Sequence, residues 1–334
     1  MKVQFDDYAS YKLLMTEFKK RGYRVEEYSL NDVSFVRFAR PGGGVWETKP
    51  HRLAYPMNSL FVAKMSINKS LAYAFAVHNK VPIPATYTYI KGDQLDKAKI
   101  KDLLARGSVV VKPEQASLSK GVTLNVKTPD QINKAIPYAL EDDRRNQSVI
   151  IQEQVNGEEI RFVGLSGRVV AALLRRTARV IGDGESTIAQ LVGRENTERR
   201  NIAHTLVRYP LLRDIADDVE ILQSRQVLAK GEVKELSRST MIGGGASVYN
   251  ILSDMHPSYV ECAERLIKAL GAGFIVADMF IEDYAVPMNS TNVRFNEFNS
   301  APVLKVFYSC RDGNNYDIVP ELVDAIDDRI KNQL

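Results

Sequence analysis

Cysteine, histidine and tryptophan are scarce in this sequence of 334 residues, which contains two cysteines, four histidines and one tryptophan. Cys262 and Cys310 are too few for a disulfide framework or for a metal site built from thiolates, so a reducing cytoplasmic compartment is expected. Four scattered histidines fit a chemistry that needs no Ser-His-Asp or Cys-His arrangement.

Long apolar runs and a strong charge imbalance are absent as well. No run approaches the 18 apolar residues of a membrane span, and the opening residues Met1 to Asp7 lack the apolar segment of a signal peptide, so no membrane association is expected. The net charge of +4 comes from 45 basic and 41 acidic residues. It is too weak to indicate nucleic-acid binding, and an anionic small substrate explains it equally well.

Two runs near the end of the chain, 274–281 and 292–302, have the apolar or alternating pattern of buried strands and predict an antiparallel pair. Glu297 and Asn299 are two residues apart and share a face, and Asp278 on the neighbouring strand can face them. Two carboxylates and an amide oxygen suit Mg²⁺ that takes its other ligands from substrate phosphates, which predicts a nucleoside-triphosphate site. The alternative is an ordinary hairpin whose polar residues face solvent.

Basic residues at strand ends are a second signal. Lys112 ends the apolar strand 108–113, where a buried lysine is costly unless it meets an anion. The following loop, 114–124, is either a cover for phosphates or an ordinary exposed hairpin. The arginines around the next strands form either a solvated basic face or a grip for carboxylate or phosphate: Arg161, Arg175, Arg176 and Arg179. The glycine run 243–245 allows close backbone approach to a ligand, although a flexible turn is the commoner meaning.

The order of these parts resembles that of the ATP-grasp ligases. The carrying residues are Lys69 at a helix start, Val111-Lys112-Pro113, the loop, Glu153-x-x-x-Gly157-x-Glu159, the arginine-bearing strands, and Asp278 followed by Glu297-x-Asn299. Segments 175–184, 186–188 and 253–257, with Asn196 and Arg199-Arg200, resemble more closely the ATP-grasp region of cyanophycin synthetases and the glutathione synthetase half of bifunctional glutathione enzymes. The sequence departs from this pattern in two places: the loop after Pro113 lacks the usual multiple glycines, and Thr240 stands where these relatives have asparagine before their glycine pair.

The resemblance implies an α+β fold of the ATP-grasp type, with two lobes gripping ATP. It implies a small N-terminal lobe at 1–65, the first ATP-grasp lobe at 66–155, and the second at 156–334 with an insertion at 186–234.

Residue roles follow from the same resemblance. Lys69 and Lys112 would hold the ATP phosphates, Glu153 and Val155 the adenine, and Glu159 the ribose or another part of the ATP pocket. Arg161 and Arg175 would lie near the γ-phosphate and the acyl group, with the Gly244 and Gly245 backbone at the oxyanion. Asp278, Glu297 and Asn299 would hold Mg²⁺, or Mn²⁺ in its place.

The activity implied is ADP-forming ligation of a carboxylate to an amine, both amino-acid-like or peptide-like, through an acyl phosphate. Three alternatives stay open: addition of glycine to γ-glutamylcysteine, a small-molecule kinase on the same fold, and a non-catalytic nucleotide-binding protein. The expected partners are these small molecules, and a homodimer is compatible with the resemblance.

Overall fold

The computed structural model describes residues 9–50, 53–116, 120–143, 145, 147–202, 205–237 and 239–332. The predicted segment 114–124 therefore lies partly outside the described residues. The described chain forms eight α-helices: α1 Ala9–Lys20, α2 Leu60–Met65, α3 Lys69–His78, α4 Lys97–Arg106, α5 Pro129–Asp142, α6 Ile188–Asn201, α7 Pro257–Leu270 and α8 Ile318–Lys331. Its strands are β1 Arg24–Leu30, β2 Val33–Ala39, β3 Val45–Thr48, β4 Thr86–Ile90, β5 Val109–Pro113, β6 Thr123–Val126, β7 Ser148–Glu153, β8 Glu158–Leu165, β9 Arg168–Arg176, β10 Arg179–Ile181, β11 Val233–Glu235, β12 Ser247–Asn250, β13 Phe274–Ile281 and β14 Val293–Asn299.

A five-stranded antiparallel sheet, in the order β12-β9-β8-β13-β14, is the centre of the molecule. Its strands are apolar on both faces because each face is covered. Helix α7 packs on one face through Tyr259, Leu266 and other buried residues. The helix begins with Pro257 in its first turn and ends at Gly271, whose φ of 65° is the left-handed conformation that glycine adopts without a steric penalty.

The opposite face of the sheet is covered by α8 and the N-terminal lobe. The three-stranded sheet β1-β2-β3 and α1 share one apolar core with α8 and with strand residues such as Val163 and Val276. Arg21 Nη2 donates to the Pro320 carbonyl at 3.0 Å, and Arg40 Nε donates to Asp327 Oδ1 at 2.9 Å. The first and last elements of the chain are therefore packed together.

A second, four-stranded sheet has the order β4-β7-β5-β6 and carries α4 and α5 on one side. Its helices begin with side-chain caps from Asp96 and Thr128, which accept hydrogen bonds from otherwise unpaired backbone N–H groups. Helix α3 packs instead against the five-stranded sheet, through Ala72, Tyr73 and Ala76. The sheets follow the predicted boundaries near 65 and 155, whereas the cores cross them, so the division into three domains stays a prediction.

The predicted insertion, 186–234, contains α6 and two short 3₁₀ turns. The small sheet β10-β11 lies at its boundaries, and one apolar core joins this sheet to the insertion. A capping box starts α6: the Thr187 hydroxyl accepts from the Gln190 N–H, and the Gln190 side chain accepts from the Thr187 N–H. None of the helices in the described part of the chain has the length and apolar character that crossing a membrane requires.

Candidate active site

The candidate site lies where one face of the five-stranded sheet changes from apolar to charged. Along β8 this face passes from Val163 to Arg161, and along β13 it passes from Val276 to Asp278, because alternate residues share a face. Arg161 is paired across strands with Asp278, and Asp278 is paired with Glu297. The predicted antiparallel pair and the shared face of its acidic residues are thus present in the structure.

Asp278 is fully buried and is held by two neighbours. Arg161 donates to both of its oxygens, from Nε to Oδ1 at 2.8 Å and from Nη2 to Oδ2 at 2.7 Å. Burial opposes the charge of Arg161, but the ion pair with Asp278 outweighs burial and raises the pKa of the guanidinium. Asn299 Nδ2 donates to Asp278 Oδ2 at 2.8 Å and to Glu297 Oε1 at 3.3 Å. The three predicted metal ligands form one cluster.

The second acidic–basic pair on this face is Glu159 with Arg175. Arg175 Nη2 donates to Glu159 Oε2 at 2.6 Å, and both side chains are mostly buried. Burial raises the pKa of Glu159, and Arg175 acts in the opposite direction. Arg175 Nε is buried and has no hydrogen-bond partner. A buried donor without an acceptor is costly, so this atom is suited to meet an oxygen of a bound ligand.

The two predicted lysines approach the acidic cluster from outside the five-stranded sheet. Lys69 lies at the start of α3, where its ammonium is 3.7 Å from Glu297 Oε2 and donates to the Ala116 carbonyl at 3.2 Å. Lys112 lies on β5 of the other sheet and donates to the Tyr73 hydroxyl at 3.1 Å. Burial lowers the pKa of Lys69, and it lowers the pKa of Lys112 to about 8. The two sheets therefore meet where these ammonium groups lie opposite the carboxylates.

Asn296 belongs to the cluster although the sequence analysis did not select it. The pairing of β13 with β14 shifts between Asp278 and Met279, which leaves Asn296 as an extra residue opposite no partner. Lys112 Nζ donates to Asn296 Oδ1 at 3.4 Å, and Asn296 Nδ2 donates to Glu159 Oε1 at 3.4 Å. Strict alternation places Asn296 on the face of Phe298, in the packing layer, so the pattern alone gave no signal for it.

The four arginines of the sequence analysis are all paired with acidic side chains, which excludes the simple solvated basic face. Arg176 Nε donates to Glu158 at 3.2 Å, and Arg179 Nη2 donates to Glu235 at 3.1 Å. These two pairs lie beyond Arg175, toward the sheet of the insertion.

Glu153 and Val155, predicted at the adenine, lie at the end of β7 and in the short connection to β8. The Glu153 carboxylate accepts the Ala85 N–H at 3.2 Å, and both residues are half-buried. They lie in the segment of chain that connects the two sheets and outside the charged cluster. Their role at the adenine stays a prediction.

Gly244 and Gly245, predicted at the oxyanion, lie in a tight turn. The Gly244 N–H donates to the Met241 carbonyl at 2.9 Å, and the Gly245 N–H donates to the Ile242 carbonyl at 2.8 Å, within a 3₁₀ turn. These N–H groups are not available to an oxyanion in this conformation. Gly245 has a φ of 93°, which glycine adopts without a steric penalty. The oxyanion role of the two glycines stays a prediction.

The donor set at Asp278 fits a hard divalent cation. Its members are two carboxylates and one amide, and Asp278 is a buried anion that needs a positive partner, which Arg161 supplies here. The described residues contain no cluster of three or more His, Cys, Asp or Glu side chains arranged as a metal site. A cation here would therefore depend on the Asn299 oxygen, with the amide turned over, and on oxygens of the substrate.

The amino-acid sequence is similar to two groups of enzymes. No family model matches the chain. The chain is 27% identical over 251 residues to cyanophycin synthetase from Synechocystis, covering 74% of this chain and 28% of the relative. It is 29% identical over 261 residues to the glutathione biosynthesis bifunctional protein GshAB from Streptococcus mutans, covering 74% of this chain and 33% of the relative. The chain thus spans about a third of the length of these curated relatives.

Solved structures agree in fold. A bifunctional glutathione synthetase from Pasteurella multocida superimposes with a TM-score of 0.63 and 20% identity, covering 95% of this chain and 43% of the other. The chain has the ATP-grasp fold. D-alanine–D-alanine ligase from Bacillus anthracis also matches, with a TM-score of 0.52, 15% identity, and coverage of 83% of this chain and 71% of the other. The resemblance and the α+β fold class predicted from the sequence are confirmed.

Proposed function

We propose that this ATP-grasp chain is an ATP-dependent carboxylate–amine ligase. It would form an amide or peptide bond between small amino-acid or peptide substrates through an acyl phosphate and release ADP and phosphate. One observation carries the proposal. Lys69 and Lys112, which lie outside the five-stranded sheet, approach the cluster that buried Asp278 and half-buried Glu297 form on that sheet. Ammonium groups beside carboxylates suit a nucleoside triphosphate and its divalent cation, because the ammonium groups neutralise phosphate oxygens and the carboxylates bind the metal.

Phosphoryl transfer needs alignment and charge neutralisation more than a protein nucleophile. In the proposal, Lys69 and Lys112 neutralise and orient the phosphates, and Arg161 holds Asp278 in position beside them. Asp278, Glu297 and Asn299 would hold Mg²⁺, which supplies further charge neutralisation at the phosphate oxygens when bound. Glu159 would contact the ribose or another part of the nucleotide, with Glu153 and Val155 at the adenine.

Arg175 is the proposed contact to the acyl group. Its Nε–H is a buried donor without an acceptor, on a guanidinium already fixed by Glu159. A preorganised donor of this kind stabilises negative charge that develops on a substrate oxygen, because it needs no reorganisation during the reaction. The carboxylate substrate would therefore lie against β9, and its oxygen would take the bond that Arg175 lacks.

The relatives suggest where to look for substrates. Cyanophycin synthetase, the glutathione biosynthesis protein and D-alanine–D-alanine ligase are ATP-dependent ligases that form amide bonds. Ligation of general amino acids or short peptides is the first proposal for this chain. Addition of glycine to γ-glutamylcysteine is the second, supported by similarity to the glutathione enzymes in both sequence and fold.

The proposal is tested by incubating the purified chain with ATP, Mg²⁺ and pooled amino acids and dipeptides, including γ-glutamylcysteine with glycine. Substrate-dependent release of ADP and phosphate is expected, with a product whose mass equals the two substrates less one water. Release of AMP instead of ADP would exclude the mechanism. ADP release with a polyol phosphate alone, giving a phosphorylated product, would favour the kinase alternative.

A further inference from the structure

The β-bulge in β14 places an amide side chain where regular pairing would place none. Asp278 is paired with Glu297, and Met279 is paired with Phe295, so Asn296 is the extra residue between them. In a bulge two residues oppose one on the partner strand, which bends the strand and redirects a side chain. Phe295 and Phe298 both remain in the apolar core as a result, while Asn296 and Glu297 both reach the charged cluster.

Asn296 uses its two ends on opposite charges. Its oxygen accepts from the Lys112 ammonium at 3.4 Å, and its NH₂ group donates to Glu159 at 3.4 Å. Each contact stabilises the charged form of its partner. A neutral amide between an ammonium and a carboxylate also keeps the two from collapsing into a direct pair, which would neutralise the lysine before it met a phosphate.

Lys112 is otherwise held only weakly in direction. Its second contact is the hydroxyl of Tyr73, which in turn donates to Gln152 at 3.0 Å. Tyr73 and Asn296 come from different elements, α3 and β14, and together they fix the ammonium from two sides. Because Lys112 lies on the four-stranded sheet, the Asn296 contact is also a direct polar link between the two sheets.

We infer that Asn296 is a positioning residue for nucleotide binding, which holds the Lys112 ammonium and the Glu159 carboxylate at a fixed separation on either side of its amide. The inference rests on the proposed nucleotide site. It differs from a purely structural role for the bulge, since the effect of Asn296 on nucleotide affinity should depend on the presence of Lys112.

The test is a double-mutant cycle on nucleotide affinity, with ATP and ADP binding to the full chain measured by calorimetry in the presence of Mg²⁺. Asn296→Leu keeps the size of the side chain and removes both polar contacts, so nucleotide affinity is expected to fall about tenfold, the loss of roughly one charge-assisted hydrogen bond. In a Lys112→Met background the same substitution should change affinity less than about twofold. In turnover assays the KM for ATP should rise while the KM for the amine stays constant.

Asn314→Leu, at an exposed loop asparagine that contacts Asp312, is the matched control and should leave affinity unchanged. Asn296→Ser, which is smaller, provides the same cycle if the leucine variant does not fold. Equal losses in the wild-type and Lys112→Met backgrounds would overturn the inference and indicate a structural role. If the wild-type chain took up no nucleotide, the proposed function would fail, and the inference would fail with it.

Discussion

Two buried arginine clusters differ in whether their hydrogen bonds are complete. In the insertion, Arg199 donates from all three nitrogens: to Glu195 at 2.7 Å, to the Pro210 carbonyl at 3.1 Å and to the Gly245 carbonyl at 2.9 Å. At the candidate site, Arg175 leaves Nε without an acceptor, and the Lys69–Glu297 contact is as long as 3.7 Å. The first cluster is closed, whereas the second keeps capacity for a ligand.

The difference separates buried charges that stabilise the fold from buried charges that are available to a ligand. A complete network pays for its desolvation within the protein, so breaking it destabilises the native state. An incomplete network leaves a donor without an acceptor, or an ammonium with only a distant anion, so that a bound ligand can supply the missing partner. Stability and nucleotide affinity, measured on the same variants, distinguish the two kinds of cluster.

The largest effect is expected for Asp278→Asn. Substitution removes the buried carboxylate and leaves Arg161 without its anion, so ADP-forming activity should fall about 10³-fold, the equivalent of several kcal/mol. The free energy of unfolding should fall by about 3–5 kcal/mol, measured by urea denaturation. Asp102→Asn, which breaks a surface pair with Arg106, is the control and should change neither quantity appreciably. Full activity in Asp278→Asn would contradict the proposed metal site.

Arg199→Met should affect stability alone. The substitution removes one of the two arginines that pair with Glu195, which keeps Arg311, and leaves the Pro210 and Gly245 carbonyls without this donor. The free energy of unfolding, measured in urea, should therefore fall by about 1–3 kcal/mol. In the described part of the chain no hydrogen bond or ion pair joins Lys69 or Lys112 to the turn at Gly245, so nucleotide affinity in the folded variant should stay within about twofold of wild type. A large loss of affinity with stability retained would show that the comparison between the two clusters is wrong.

The smallest effect concerns pH and Lys112. Its pKa of about 8 lies below the ordinary value for lysine, so the ammonium that binds phosphate predominates below pH 8 and nucleotide affinity should decline above it. A bound phosphate favours the ammonium, hence binding at pH 8–9 should take up a proton. Calorimetry in buffers of different ionisation enthalpy measures this uptake, and Lys112→Met should abolish it.

The same shift predicts the pH dependence of stability without ligand. Between pH 8 and the ordinary pKa of lysine, the unfolded chain binds more protons at this residue than the folded chain does. The contribution of Lys112 to stability should therefore increase as the pH rises through that window. Lys112→Met should remove this component of the pH profile.

Much of the fold and part of the site could be predicted because the residues concerned follow the regular alternation of side chains along a β-strand. Asp278, Glu297 and Asn299 share a face by simple alternation, and the buried Lys112 stands out at the end of an apolar strand. Asn296 could not be predicted, since a bulge reverses the alternation at one residue and has no composition signal here. The turn at Gly244 and Gly245 could not be predicted for a different reason: glycine permits both a ligand cradle and a tight turn, and the sequence does not distinguish between them.

The packing of α1 and β1 to β3 against α8 has a consequence for biosynthesis. Residues such as Phe18 and Phe38 reach their final surroundings only beside Ile326 and Ile330, which are translated almost 300 positions later. During synthesis this part of the apolar core therefore stays incomplete until α8 has left the ribosome, and the side of the lobe that α8 covers is exposed until then. Deletion of α8 would expose the apolar core of α1 and β1 to β3 and leave the core of the four-stranded sheet covered.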